Sequence, residues 1–241
     1  MNCYEYAQSV LPNKAIKKST SYEYLSVCRS LKLSEIEYPP TKQQLTDLLS
    51  GVFNVNTRRK CAIAIKSLFD IKVKVPSPTP LELDLPDFDK LDEIIRHSRY
   101  EMYGLLMLHA GFRLGETLVK QPIKGNAIWI NRQKTIDNEL TTAKSEGLVI
   151  VPEWLLERYK DWEPHHHYNT IYLGLKRLFR RNEMGFMTPH KLRHAYASYY
   201  AHKMPPEALR RQMRHKRVTT AMQYYVHIKE EDLMKAMWMK N

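Results

Sequence analysis

The sequence is poor in cysteine, and its three cysteines lie far apart, at Cys3, Cys28 and Cys61. Their spacing matches neither a metal site nor a disulfide framework. None has the neighbours that a cysteine nucleophile needs. We therefore interpret them as free, reduced thiols. The consecutive histidines His165, His166 and His167 also make a poor metal site, because adjacent side chains point in different directions. We expect them in a polar loop.

Long apolar runs are missing as well. No stretch of 18 uncharged apolar residues occurs, so the sequence predicts no membrane span. Residues 1–15 contain no apolar core of the signal-peptide type. Both absences favour a protein of the cytoplasm, where it can associate with the nucleoid.

Positive charge is abundant. The chain has 38 Lys and Arg against 26 Asp and Glu, which gives a formal net charge of +12 among 241 residues. These cations are spread through the whole sequence. A surplus of this size indicates a polyanionic partner, and nucleic acid is the commonest one.

A composition break divides the chain at residues 73–86, which read VKVPSPTPLELDLP and contain four prolines. Proline fixes φ and removes a backbone donor, so this stretch should be extended. We interpret residues 75–86 as a linker between a small helical domain, residues 1–74, and a second domain, residues 87–241.

The first domain contains three helical patterns. The first spans Ser21 to Leu31, and the second follows Thr41 through Leu48 with Gln44 in the capping-box position. The third is capped by Asn56 or Thr57 and ends near Phe69. Its apolar stripe is Ala62, Ile63, Ile65, Leu68 and Phe69. Its cations are candidate DNA-backbone contacts, although they are equally typical of a solvated helix face: Arg58, Arg59, Lys60 and Lys66.

The second domain has mixed signals. Asp87 can cap a helix through Arg99, and an apolar helix should follow at Glu101 to Ala110. Residues 126–132 and 148–152 are typical of strands, and most of the rest is helical. These patterns predict a mainly α protein with a small antiparallel β-sheet. At the C-terminus, residues 230–239 predict an amphipathic helix that packs on its own domain or docks on a neighbouring protomer.

The most informative segment is residues 188–198, TPHKLRHAYAS. His190 and Arg193 lie three residues apart, so at a helix start they share one face. Both can donate hydrogen bonds to the non-bridging oxygens of a phosphate. By itself this pair is also common on solvated basic surfaces.

Three motifs in order resemble those of the tyrosine recombinase (phage integrase) family. HKLRHAYAS resembles the family's H-x-L-R-H-[ST/A]-x-A-[ST], and HAGFRLGETL upstream resembles T-G-x-R-x-x-E-x-x-x-L. RHKRVTTAMQYYVH downstream resembles G-H-x-x-x-x-T-x-x-x-Y. The resemblance covers about residues 85–240. The helix NTRRKCAIAIKSLF also looks like the last helix of the family's core-binding domain.

The resemblance implies a helical core-binding domain and a catalytic domain that form a C-shaped clamp around double-stranded DNA. It implies cleavage and rejoining of DNA through a 3′-phosphotyrosine, with no metal and no cofactor. The protein would be monomeric or weakly associated off DNA and a homo-tetramer on synapsed DNA. Accessory DNA-bending proteins are further candidate partners. The implied phosphate binders are Arg113, His190, Arg193 and His215, with Glu116 as a structural partner of Arg113.

Two assignments stay open. The general acid is expected on the hairpin, where Lys144 aligns best and Lys134 is the alternative. The nucleophile is expected at Tyr224, nine residues after His215, or at its neighbour Tyr225. Adjacent helical residues point about 100° apart, so only one tyrosine can reach the phosphorus.

The chain departs from the family pattern at two places. Arg214 stands where a glycine usually precedes the second histidine, so it could alter the loop or add a contact. Ser145 is followed by Glu146 and not by the usual arginine. Two other functions remain compatible with the sequence. They are a type IB topoisomerase-like nicking and closing enzyme, and a DNA-binding relative without catalysis.

Overall fold

The computed structural model describes residues 1–16, 18–74 and 85–225. The chain divides into two units, Met1–Leu81 and Glu82–Asn241. Most of the predicted linker and the predicted C-terminal helix lie outside the described residues. The domain boundaries and the clamp arrangement therefore stay predictions. Within the described ranges, no helix is both long enough and apolar enough to cross a membrane.

The first unit is built from helices that pack around one apolar core. They are α1 (Cys3–Val10), α2 (Lys18–Ser30), α3 (Lys42–Ser50) and α4 (Val55–Phe69), with short 3-10 turns at Leu11–Asn13 and Leu33–Glu35. The predicted capping box is present at α3, where the side chain of Thr41 accepts from the backbone of Gln44. All three cysteines are free and buried in this core.

Helix α4 differs from its prediction in where it begins and in the face that it buries. The side chain of Asn54 caps it by accepting from the backbone N–H of Thr57 at 2.9 Å. Ile63, which was expected in the apolar stripe, is 59% exposed. The predicted residues Ala62, Ile65 and Leu68 are buried, and the buried face also includes the small residues Cys61 and Ala64, which the predicted stripe left out.

The second unit confirms the mainly α prediction with a small antiparallel sheet. Its first helices are α5 (Phe88–Arg96), α6 (Glu101–Ala110) and α7 (Leu114–Thr117). The sheet contains β1 (Ile123–Lys124), β2 (Ala127–Lys134) and β3 (Leu140–Ile150). The remaining helices are α8 (Glu153–Asp161), α9 (Tyr168–Arg181), α10 (Pro189–Ala201), α11 (Pro206–Met213) and α12 (Val218–Met222). As predicted, α6 is almost wholly buried and residues 165–167 lie in a loop.

The sheet has the order β1-β2-β3, and both pairings are antiparallel. Strand β3 begins at Leu140, eight residues before the predicted start at Leu148. The register changes between the pairs Ile130↔Gly147 and Arg132↔Thr142, so that residues 143–146 bulge outward. The polar sequence of this bulge hides the strand, because it lacks apolar alternation. Lys144 and Ser145 lie on the bulge.

Two glycines allow the elements around the site to approach closely. Gly111 ends α6 in the left-handed region with φ of 65°, and a Cβ there would lie 2.9 Å from the ring of Tyr196 on α10. At Gly115 a Cβ would lie 2.4 Å from the carbonyl oxygen of Lys134 on β2. Helix α7 is therefore held against β2, and the turn before it lies beside α10.

Candidate active site

Arg193 is the buried centre of the site. Its side chain is on α10, and only 3% of the residue is exposed. The guanidinium donates to the carbonyl oxygens of Gly111 and Met213. These bonds tie α10 to the turn after α6 and to the end of α11. Burial lowers the pKa of Arg193 to about 9, and the nearby guanidinium groups contribute to this. The side chain still carries its charge at neutral pH.

Arg113 lies between α6 and α7, at the start of α7. Its Nη1 is 2.8 Å from Oε1 of Glu116, and its backbone N–H donates to Oε2 of Glu116 at 2.8 Å. The predicted pairing of Arg113 with Glu116 is therefore present. Nη2 also donates to the hydroxyl of Ser145 at 3.4 Å. About 23% of the Arg113 side chain is exposed.

Arg214 stands where the similar sequence motif has a glycine, and it adds a contact. Its backbone is left-handed, with φ of 53°, which explains why glycine suits this position. Nη2 of Arg214 lies 2.5 Å from Oε2 of Glu116, and Nε donates to the carbonyl of Ser145 at 3.2 Å. The arginine thus links the end of α11 to α7 and to the bulge of β3.

Glu116 is the common acceptor of this network and is completely buried. Burial alone would raise the pKa of its carboxyl. The guanidinium groups of Arg214, Arg193 and Arg113 outweigh burial and lower it. Glu116 is therefore an ionised counter-charge in the interior, and it holds two arginines directly at its two oxygens.

His215 follows Arg214 and faces Tyr224. The two rings are parallel within 15°, with centroids 6.4 Å apart. Burial lowers the pKa of His215 to about 4, and the charges of Arg193, Arg113 and Arg214 add to this effect. Its Nδ1 is buried and has no hydrogen-bond partner in the described part of the chain. A buried ring nitrogen without a partner is a position where a ligand oxygen could bind.

His190 is the second residue of α10 and is exposed. Partial desolvation of its ring lowers its pKa, and the charges of Arg193, Arg113 and Lys144 lower it further. Lys144 therefore lies within electrostatic range of His190, and it is exposed on the bulge. Lys134 is half-buried near the end of β2.

The two candidate tyrosines have different partners. Tyr224 is 6% exposed, and its Oη lies 2.7 Å from Nδ1 of His194 on α10. Burial raises the pKa of Tyr224, and the charge of Arg193 opposes the shift. Tyr225 is half-buried and donates its phenolic hydrogen to the carbonyl of Met204 at 2.5 Å. Tyr224 is thus the one whose hydroxyl lies beside α10 and its histidines.

The sequence prediction omitted two residues of this site. For Arg214 the sequence predicted an altered loop or an added contact without naming the partner, because its ion pair with Glu116 joins residues 98 positions apart. His194 lies within the central motif, four residues after His190, and this i, i+4 spacing could have placed both rings on one helix face. Their ring centroids are 4.8 Å apart in an edge-to-face arrangement.

The four candidate cations of the first unit lie on α4. Arg58 donates to the carbonyl of Val52 at 2.9 and 2.6 Å, so its guanidinium closes the loop before the helix. Lys60 lies 3.6 Å from Glu23 in an exposed ion pair. Lys66 is exposed and Arg59 is half-buried. Their role in DNA binding stays a prediction.

The site therefore combines cationic and hydrogen-bonding groups with one phenol. Within the network around Glu116, the side chain of Arg113 is incompletely buried. His190, His215 and the hydroxyl of Tyr224 lie near these arginines. Such a set can bind an oxyanion and place a nucleophile beside it. In the described ranges, no group of three or more acidic, histidine or cysteine side chains is arranged to hold a metal ion.

Comparison with known proteins gives matches only at the level of structure. No protein-family profile matches the chain, and no curated protein sequence does. The Tn1549 transposon integrase in complex with circular intermediate DNA has a TM-score of 0.68 at 16% identity, over 98% of this chain and 99% of that one. A lambda integrase dimer bound to a COC′ core site has a TM-score of 0.64 at 14% identity, over 93% of this chain and 95% of that one.

A third similar structure is the XerH site-specific recombinase bound to palindromic difH substrate. Its TM-score is 0.61 at 16% identity, over 91% of this chain and 77% of that one. At such low identities the likeness establishes the fold. The chain has the fold of these DNA integrases and recombinases, all three of which were solved with DNA.

Proposed function

We propose that the protein is a tyrosine recombinase that cuts and rejoins double-stranded DNA through a 3′-phosphotyrosine. The observation that carries the proposal is the convergence of residues that are far apart in the sequence. Arg193 bonds to the carbonyl of Gly111, two residues before Arg113, and to the carbonyl of Met213, two residues before His215. The rings of His215 and Tyr224 are parallel, with centroids 6.4 Å apart. The fold shared with DNA integrases and recombinases supports the same reading.

In this proposal the scissile phosphate binds among the cationic groups. The exposed part of Arg113, the free Nδ1 of His215 and the exposed ring of His190 supply hydrogen bonds to the non-bridging oxygens. Arg193 contributes its positive charge from the buried interior of the site, since both of its terminal nitrogens already bond to backbone carbonyls. Fixed charges of this kind stabilise the transition state as negative charge develops.

The chemistry then follows from Tyr224 and Lys144. Oη of Tyr224 attacks phosphorus and releases its proton to water, and the bond between phosphorus and the 5′ oxygen breaks as the new phosphotyrosine bond forms. Lys144 gives a proton to the leaving 5′ oxygen. Since the new ester keeps the phosphoryl group activated, a 5′ hydroxyl of another strand can reverse the step without ATP.

The expected partner is double-stranded DNA, in line with the net charge of +12. We expect the two domains to close around the duplex and four protomers to assemble on synapsed sites. Accessory DNA-bending proteins can assist this assembly. Binding should weaken steeply with salt, because each phosphate contact releases a counterion. The cations of α4 are candidates for such contacts.

Covalent trapping tests the proposal. Wild type, Tyr224→Phe and Tyr225→Phe are incubated with nicked suicide substrates that carry candidate sites, without metal or ATP, and run on denaturing gels. Tyr225→Phe is the matched control, because it removes the neighbouring hydroxyl, which bonds to Met204. We expect an adduct with wild type and Tyr225→Phe only. No adduct from any of the proteins, on a site that they bind, would contradict the proposal.

Recombination itself needs a second readout on intact sites. A recombinase should form four-armed junctions and recombinant products, whereas an enzyme of the type IB topoisomerase kind would only relax or reclose the DNA. Adducts without any junction would therefore restrict the proposal to nicking and closing.

A further inference from the structure

We infer that His194 is the positioning residue of the nucleophile, whose ring accepts the hydrogen bond of Tyr224 and fixes the phenol oxygen beside the phosphate site. The inference rests on the proposed function, because it assigns a role within that reaction. The distance from Nδ1 of His194 to Oη of Tyr224 is 2.7 Å, which is a short hydrogen bond.

The direction of the bond follows from the chemistry of both groups. Burial, with the charges of His190 and Arg193, holds the pKa of His194 at about 4, so the ring is neutral at pH 7. A neutral imidazole has one acceptor nitrogen, and a phenol is the better donor of this pair. The proton therefore belongs to Tyr224, whose own pKa is raised above 10 by burial. At rest the histidine orients the hydroxyl and does not ionise it.

His194 is itself held in place from two sides. It follows Arg193 on α10, and Arg193 is anchored to the carbonyls of Gly111 and Met213. Its ring also meets the ring of His190 edge to face, with centroids 4.8 Å apart. A residue on a rigid, anchored helix is suited to fix a group on a less constrained segment.

Tyr224 needs such a partner because it follows the short helix α12. Its backbone N–H bonds to the carbonyl of Ala221 at 3.1 Å, which holds the main chain but does not contact the phenol oxygen. The parallel ring of His215 at 6.4 Å restrains the plane of the phenol. Nδ1 of His194 then determines where the oxygen lies within that plane. His194 thereby links two predicted catalytic residues, His190 and Tyr224.

The kinetic test compares His194→Ala with His194→Asn. The Oδ1 of asparagine can take the place of Nδ1 as an acceptor, whereas alanine has none. His202→Asn is the matched control, because it changes an exposed histidine at the end of the same helix. Single-turnover cleavage of a nicked suicide substrate is measured at saturating protein, together with DNA affinity.

We expect His194→Ala to cleave about tenfold more slowly at unchanged DNA affinity, which is the effect of one lost hydrogen bond on a rate. His194→Asn should recover most of the wild-type rate, and His202→Asn should match wild type. A cleavage rate for His194→Ala that equals or exceeds that of wild type would overturn the inference, since the hydrogen bond would then either have no effect on cleavage or slow it. Failure of His194→Asn to recover the rate would overturn it as well.

A second measurement needs no DNA and separates the two proposals. The side-chain ¹⁵N signals of His194 are compared in wild type, Tyr224→Phe and Tyr225→Phe. Loss of the phenol hydrogen bond should move the Nδ1 signal in Tyr224→Phe alone. An unmoved signal would disprove the hydrogen bond, and with it this inference. A moved signal with no adduct from wild type would instead count against the proposed recombinase function and leave the bond itself established.

Discussion

Glu116 offers the sharpest test of the arginine network, since Glu116→Gln removes one charge and almost no volume. The carboxyl is fully buried and lies 2.8 Å from Arg113 and 2.5 Å from Arg214. The charges of these two guanidinium groups lower its pKa. After the substitution, two guanidinium groups share a buried amide with no counter-charge. Breaking a buried ion pair from one side costs about 3–5 kcal/mol.

The assay is urea unfolding followed by tryptophan fluorescence. All four tryptophans, at 129, 154, 162 and 238, belong to the second unit, so the signal reports on the unit that contains the network. With a slope of about 2 kcal/mol per molar urea, the midpoint should fall by about 1.5–2.5 M. Glu207→Gln is the matched control, because Glu207 pairs with two arginines, at 2.6 and 3.2 Å, while 51% exposed. Its midpoint should stay close to that of wild type, because solvent screens an exposed ion pair.

A double variant checks the cause of the loss. Adding Arg214→Gln to Glu116→Gln removes one of the uncompensated cations, so part of the stability should return. If Glu116→Gln unfolded at the same urea concentration as Glu207→Gln, the buried network would contribute nothing to stability, and the reasoning would be refuted.

Four further predictions concern His194, Gly115, Arg58 and Lys66. The pKa of His194 is lowered from 6.5 to about 4 in the folded protein, so the unfolded state binds more protons below pH 6.5. The free energy of unfolding should keep its full value above pH 6.5 and fall by up to about 3 kcal/mol as the pH drops to 4. His194→Asn should flatten this part of the curve of unfolding free energy against pH. Gly115→Ala should cost about 1–3 kcal/mol in urea unfolding, because its Cβ would meet the carbonyl of Lys134. Arg58→Ala should destabilise the first unit by about 1–3 kcal/mol by circular dichroism, since its guanidinium bonds to backbone. Lys66→Ala should instead leave stability unchanged and reduce the salt slope of DNA binding by about 1.

The fold class could be predicted because local signals agreed with the tertiary structure. The apolar helix at Glu101 to Ala110 has the predicted bounds, and the capping box at Thr41 is present. Strand β3 was found only in its last part. Its first half bulges at residues 143–146 and is polar, and the pairing partner in β2 decides its conformation.

The residue types of the site were predictable from motif order, but their mutual support was not. The carboxyl of Glu116 meets Arg113 three residues away, which a helix start explains locally. Its pairing with Arg214 spans 98 positions and depends on how α11 ends. His194 was overlooked because the motif gives a sequence position and not the partner that the fold brings to it. The choice between Tyr224 and Tyr225 likewise needed the two hydroxyl partners, and the nucleophile itself stays a prediction.

Mass spectrometry of the trapped protein–DNA adduct tests the central claim most directly. Trypsin should release the peptide VTTAMQYYVHIK, residues 218–229, which holds both tyrosines. After nuclease digestion, fragment ions locate the remaining nucleotide. We expect the phosphoryl group on Tyr224. A phosphoryl group on Tyr225 would contradict the assigned nucleophile, and one on any other residue, or none on a bound and nicked substrate, would contradict the proposed chemistry.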